Sequence, residues 1–207
     1  MQANWRRITT TEELAELYGE PMELSLRKEL PALSAGYRAF IEKAPFAVIA
    51  TSGPEGLDCS PRGDPPGFVR VADEKTLLLP DRRGNNRLDA LRNIVRDPRI
   101  SLLFLIPGVG ETLRVNGRAE IVADAELCAS FEEQGKAPRS VIVVRIESVY
   151  YQCPKALMRS KLWNPEARID RDELPSAGTL LREACDAEFD QAAYDAAYPQ
   201  RIKDTIY

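Results

Sequence analysis

The chain has 207 residues, a formal charge of −4, 44% hydrophobic residues and no histidine. That length buries a substantial core, and the mild acidity argues against a nucleic-acid partner. Without histidine there is no Ser-His or Cys-His dyad and no His-ligated metal site, so no bound metal is expected. No run approaches the ~18 apolar residues of a membrane span. The opening "MQANWRRITTTEEL" has two arginines but no apolar segment behind them, so it does not read as a signal peptide. Cys59, Cys128, Cys153 and Cys185 lie far apart with no CxxC pair and read as reduced thiols of a cytoplasmic protein.

Residues 11–18 and 24–44 carry leucines and aromatics at helical spacing, with Pro31 placed to kink or divide the second helix. From Phe46 the period becomes that of strands. "FAVIAT", the turn cluster "SGPEG" and "LDCSPR" read as a hairpin; "GFVRVA" and "TLLLP" around Asp73 to Lys75 read as another. A helix from Arg87 to Val95, stopped at Asp97-Pro98, leads to the strand "ISLLFLI". "TLRVNGRAEIV" alternates cleanly: Leu113, Val115, Ala119 and Ile121 face one way, while Thr112, Arg114, Asn116, Arg118 and Glu120 face the other. A short helix near Ala125 to Glu133 precedes "VIVVRIESVYY", and the tail is helical around Leu180 to Ala193.

This pattern predicts a mainly β (α+β) protein: an antiparallel, six-stranded split β-barrel with flanking helices. One domain spans 1–207, with an N-terminal helical segment at 1–44, the barrel core at 45–151 and a C-terminal helical extension at 152–207.

Between the strand ending at Pro80 and the following helix lie Asp81, Arg82, Arg83, Gly84, Asn85, Asn86 and Arg87. One reading is a solvated turn in which Asn85 or Asn86 caps the helix. The other is an anion site, since a helix start offers unpaired N–H groups and arginines add donors matched to phosphate. "DCSPRGDPPGF" favours the second reading. Ser60, Arg62 and Gly63 end a strand that the hairpin order sets beside the one ending at Pro80, so two basic turns converge on one barrel edge.

Together these segments resemble the pyridoxamine 5′-phosphate oxidase-like flavoproteins, and more narrowly an FMN-binding branch with an SPRGD segment and a GNNR loop. The resemblance covers about Pro45 to Trp163. It implies a split-barrel homodimer with FMN as cofactor at the subunit interface. It assigns Ser60 and Arg62, with Gly63, to the strand beside the flavin and its phosphate. Arg82, Asn86 and Arg87, with Asn85, fall at the second phosphate-binding strand and helix start. Arg114 and Asn116 fall on the strand that approaches the flavin from across the dimer. In "YQCPKALMRSKLWNP", Trp163 corresponds to a tryptophan near the flavin, and a helix bearing Lys155 and Arg159 on one face closes over the cleft; its alternative is a surface helix packed through Leu157, Met158 and Leu162. The resemblance departs at the tail, "RIKDTIY", which has no Arg-x-His element. Activity on pyridoxamine phosphate is therefore not expected.

The expected function is an FMN-dependent oxidoreductase acting on a small molecule, with the electron donor open between NAD(P)H and a deazaflavin. No catalytic residue is singled out, because the cofactor carries the redox chemistry. The rival reading is a flavin carrier or redox sensor without turnover. An oligonucleotide-binding barrel ranks last, because aromatics make up only 7% of the chain and a binding groove needs stacking aromatics among basic residues.

Overall fold

In the computed structural model, residues 5–185 and 189–207 are described. Thr10 opens α1 (Thr11–Tyr18) through a capping box with Glu13, and Ser34 opens α3 (Ala35–Lys43) by accepting from the Tyr37 amide. Between them lies the short α2 (Glu23–Arg27). The helix expected over 24–44 is therefore two helices, divided on either side of Pro31. Leu30 instead forms an isolated bridge with Val149.

Seven strands follow, one more than the six expected: β1 (Phe46–Gly53), β2 (Gly56–Gly63), β3 (Arg70–Asp73), β4 (Thr76–Asp81), β5 (Arg99–Leu105), β6 (Thr112–Val122) and β7 (Ser140–Gln152). All are paired antiparallel in the order β2-β1-β5-β6-β7-β4-β3. The β1–β2 hairpin closes between Gly53 and Gly56, with Gly56 at φ 127°, a backbone region open to glycine. Helix α4 (Asp89–Arg96) sits between β4 and β5, and α5 (Ala125–Ser130) between β6 and β7. After β7 come α6 (Lys155–Ser160), α7 (Ala177–Ala184) and α8 (Gln191–Thr205). The last two replace the one tail helix expected; residues 186–188 of that expectation lie outside the described residues. No described helix is long and apolar enough to cross a membrane.

Register fixes which residues share a face. Ser60, Ile49, Leu102, Val115 and Val149 lie in one row across five strands, facing the core; Cys59, Ala50, Ser101, Asn116 and Ser148 lie in the next row, facing out. Core-facing Ile49, Leu102, Phe104, Leu113 and Val115 are fully buried together with Leu77, Leu79, Ile142 and Val144.

In the sheet β2 stands five places from β4. At about 4.8 Å per strand, a flat sheet would hold them roughly 24 Å apart. Yet Arg62 at the end of β2 lies 3.7 Å from Asp81 at the end of β4. The sheet therefore curls into a barrel that stays open between these strands. The curl is accompanied by a bulge in β6 at Asn116–Gly117, where the register with β7 shifts.

A Cβ on Gly117 would sit 2.0 Å from the Arg145 carbonyl oxygen, a backbone atom that cannot move aside cheaply. Gly117→Ala should therefore destabilise the fold by about 1–3 kcal/mol, read as a lower urea midpoint. An unchanged midpoint would show that the bulge tolerates a side chain.

Candidate functional site

The opening between β2 and β4 is a cleft of about 1420 Å³. Along β2 the alternation turns Asp58, Ser60 and Arg62 inward and leaves Leu57, Cys59 and Pro61 exposed. These inward positions continue rows that elsewhere carry core residues. They are polar because β2 is an edge strand and its inner face meets the opening. The opposite wall is the end of β4 and the turn after it, and a third wall is the 136–140 loop before β7.

Ser60, Arg62, Gly63, Arg82, Asn85, Asn86 and Arg87 all line this cleft, so the two basic turns do meet. Arg114, Asn116, Lys155 and Trp163 do not line it. Arg114 and Asn116 lie on the outer face of β6. Ser101 Oγ donates to Asn116 Oδ1 at 2.8 Å, Asn116 Nδ2 donates to Ser148 Oγ at 3.3 Å, and Arg114 donates to Tyr150 Oη at 2.9 Å. Trp163 Nε1 donates to the Val109 carbonyl at 2.8 Å, anchoring the segment after β7 on the β5–β6 loop. Lys155 is exposed, and α6 does not close over the cleft.

Neither asparagine caps α4. Its N-cap is Leu88, left-handed at φ 57°, and it makes no side-chain cap hydrogen bond. Asn85 Oδ1 instead accepts from the Arg87 amide at 3.0 Å, and Asn86 is left-handed at φ 60°. The start of α4, from Leu88 to Leu91, lines the cleft. Among the described residues its first N–H groups are thus left without a side-chain acceptor at the end where the helix dipole is positive. A leucine in the left-handed region costs on the order of 1–2 kcal/mol, and such strain is characteristic of binding turns.

Six basic residues (Arg62, Arg82, Arg83, Arg87, Lys136 and Arg139) share the cleft with Asp58, Asp64, Asp81 and Asp89. The pairings divide the arginines by role. Arg82 Nε donates to Asp64 Oδ2 at 2.7 Å, and its Nη1 donates to the Phe131 carbonyl at 2.6 Å. With the Asp64 side chain 2% exposed and that of Arg82 18% exposed, this pair is a strut that joins the two turns. Arg87 bonds Asp89 at 2.5 Å in the open. Arg62 and Asp81 are 3.7 Å apart, beyond hydrogen-bond reach. Burial pushes the Asp81 carboxyl above its ordinary value, and Arg62 opposes that shift. Ser60 Oγ donates to Asp58 at 2.5 Å. Among the described residues, Arg83 and Arg139 have no acidic partner.

Tyr207 closes one rim. Its hydroxyl donates to Asp64 Oδ1 at 2.7 Å, which holds the phenol proton more tightly than usual, and Lys136 Nζ donates to its main-chain oxygen at 3.1 Å. Sequence reasoning missed Lys136, Arg139 and Tyr207. "GKAPRS" carries two basic residues around a proline but neighbours neither turn in sequence. Only the β4–β7 pairing, which sets Ser140 opposite Asp81, brings it to the cleft.

The profile of the pyridoxamine 5′-phosphate oxidase family matches residues 33–153. Among solved structures, HupZ from Group A Streptococcus is similar at 19% identity and a TM-score of 0.48, over 58% of this chain and 94% of that one. A candidate pyridoxamine 5′-phosphate oxidase from Lactobacillus delbrueckii is similar at 21% identity and 0.46, over 59% and 98%. An F420 reductase follows at 20% and 0.43, over 56% and 98%. No curated protein matches at a significant level. The sequence match spans more than half of the chain: this protein belongs to the pyridoxamine 5′-phosphate oxidase family.

If Arg82 is a strut, Asp64→Ala should cost about 3–5 kcal/mol, because it leaves a part-buried guanidinium without its counter-charge. Thermal unfolding measures this. A loss below about 1 kcal/mol would return Arg82 to the ligand-binding set.

Proposed function

We propose that this member of the pyridoxamine 5′-phosphate oxidase family binds FMN in the cleft between β2 and β4 and acts, as a homodimer, on a small molecule by oxidation–reduction. The observation that carries the reading is the meeting of two basic turns at an uncapped helix start. The groups present fit a phosphate monoester: guanidinium donors from both walls, free amides at α4, and more basic than acidic residues.

Arg62, Arg83 and Arg87, with the amides of α4, are the groups that would hold the phosphate, and Ser60 adds a hydroxyl. Lys136 and Arg139 place positive charge on the third wall, where it favours a ligand that gains negative charge. Bound FMN would supply the hydride or electron transfer, leaving these residues to bind, orient and tune it. The electron donor proposed first is NAD(P)H. A protein that held flavin without turning over would remain yellow but would not bleach with NADPH and re-oxidise with an acceptor.

The outer face supports the dimer. Phe46, Val48, Ala50, Leu103 and Leu105 form an apolar patch over β1 and β5, beside the polar row of Ser101 and Asn116. A second copy seated there would add Asn116 and Arg114 to its partner's flavin site. The expected location is cytoplasmic, where the four free cysteines would stay reduced.

Arg62→Ala and Arg83→Ala should each remove a charge-assisted contact worth about 1.5–3 kcal/mol, a roughly ten- to hundredfold weaker hold on FMN. Fluorescence titration of the stripped protein measures it, and unchanged affinity in both variants rejects the phosphate assignment. Leu103→Asp should convert the dimer to a monomer with reduced flavin content, by light scattering and absorbance. A wild-type monomer that keeps its flavin would refute the shared site.

A further inference from the structure

We propose that Asp81 determines which oxyanion the cleft accepts: a phosphate monoester, which can share a proton with it, and not a sulfate, which has none to share. The inference rests on the reading of the cleft as a phosphate site and adds a selecting residue to it.

The geometry sets the problem. Arg62 enters the cleft from β2, and Asp81 stands 3.7 Å from its Nη2. Both side chains are about four-fifths buried, at 21% and 19% exposure. An oxyanion that grips this guanidinium nitrogen from the side of Asp81 comes into contact with the Asp81 carboxylate. Two anionic oxygens in contact, away from bulk water, are not both stable, so one proton must lie between them. The proton then belongs to the carboxylate–phosphate pair and not to either group alone.

The other charged groups of the cleft do not relieve the conflict. Asp64 is engaged by Arg82 and Tyr207, Asp89 by Arg87, and Asp58 accepts from Ser60. Across the β4–β7 ladder Asp81 faces Ser140, a neutral residue. Arg83, Lys136 and Arg139 supply positive charge to the ligand but, among the described residues, none forms an ion pair with Asp81. Asp81 therefore has one weak partner, which the ligand takes. Burial already favours its protonated form, and loss of Arg62 to the ligand removes the opposing influence.

The chemistry of the ligand decides the outcome. A phosphate monoester takes or gives a proton near neutrality, so a complex with one shared proton is accessible. Sulfate is a strong-acid anion at the same pH, and it meets either a bare carboxylate or the full cost of protonating one. Discrimination by a carboxylate that needs a donor from its ligand follows the general rule that a site built for one hydrogen-bond pattern rejects the analogue lacking it.

The test titrates inorganic phosphate and inorganic sulfate, by calorimetry at one near-neutral pH, into flavin-stripped wild-type protein, Asp81→Asn and Asp89→Asn. The wild type and Asp89→Asn should prefer phosphate by roughly tenfold or more. In Asp81→Asn, whose amide donates to either anion, the preference should fall to about twofold through a gain in sulfate binding. Repeating the wild-type phosphate titration in buffers of different ionisation enthalpy should show proton uptake that Asp81→Asn lacks. A preference that survives in Asp81→Asn overturns the inference. So does equal strengthening of both anions in that variant, which would make Asp81 a plain counter-ion. If neither anion binds the wild type, the phosphate site falls and this inference with it. Discrimination between the anions in a protein that does not bind FMN leaves Asp81 in its role and overturns the flavin reading.

Discussion

The contact between the ends of β2 and β4 is the constraint on which the rest of the molecule turns. Four strands separate them in the sheet, and only its curl brings Arg62 within reach of Asp81. Once the sheet has closed that far, the inward positions of β2 no longer face hydrophobic core. They face the opening, and Asp58, Ser60 and Arg62 occupy what would otherwise be buried apolar positions. A closed barrel would desolvate those groups at a cost of several kcal/mol for each unpaired charge. The split is thus a condition for placing them there.

Helix α4 depends on the same closure. Ala90 and Ile94 pack into the core, and Asn93, buried at the β1–β2 hairpin, donates to Thr51 Oγ1 at 3.2 Å. Gly53 leaves space for that asparagine: a Cβ there would lie 2.3 Å from its Oδ1. The back half of the helix is fixed against β1, and the left-handed turn at Leu88 then aims its start into the cleft. The strain of that turn is offset by the packing of Ala90 and Ile94, which the helix keeps only in this orientation. Charge is arranged with similar division of labour. The tight Arg82–Asp64 pair joins the two turns and sets their separation, while Arg83 stays unpaired among the described residues and Arg62 is held only loosely. A cleft of unpaired arginines would repel itself. The interleaved aspartates let the walls approach without a ligand present.

Much of this was legible in the sequence where the signal is local. The alternation of "TLRVNGRAEIV" gave the two faces of β6, and the turn clusters "SGPEG" and Asp73 to Lys75 marked the hairpins. The SPRGD and GNNR turns do converge, but not for the reason that hairpin order suggested: β2 and β4 are not neighbouring strands, and they meet only because the sheet curls. What stayed hidden depends on distant pairing. The 136–140 loop reaches the cleft because β7 pairs with β4, some sixty residues earlier in the chain. Tyr207 reaches it through a tail whose docking leaves no periodic mark. Asn85 and Asn86 are good helix caps by residue type, yet the turn uses one for its own backbone and sets the other left-handed. The acidic partners were visible as residues, but whether an aspartate braces a turn or competes for a ligand depends on separations of an ångström, 2.7 Å for Asp64 and 3.7 Å for Asp81.

The two sets of residues that the family resemblance joins lie on opposite faces of one sheet. Arg62 shares the inner row with Ala47 and Phe104, whereas Asn116 shares the outer row with Ser101 and Ala50. No rotation of side chains carries a residue through a sheet, so a single chain cannot direct both sets at one ligand. Two copies can, if the outer face of one lies beside the cleft of the other. The apolar patch at Val48, Leu103 and Leu105 is the part of that face with least reason to meet water, and it borders the polar row that would have to cross. The Ser101–Asn116–Ser148 hydrogen bonds hold the amide upright on the strand in advance of any partner. This lowers the ordering entropy that association would otherwise cost. If the proposed flavin site is shared between subunits in this way, cofactor binding and subunit association form one linked equilibrium, in which flavin tightens the dimer by as much as the dimer tightens flavin.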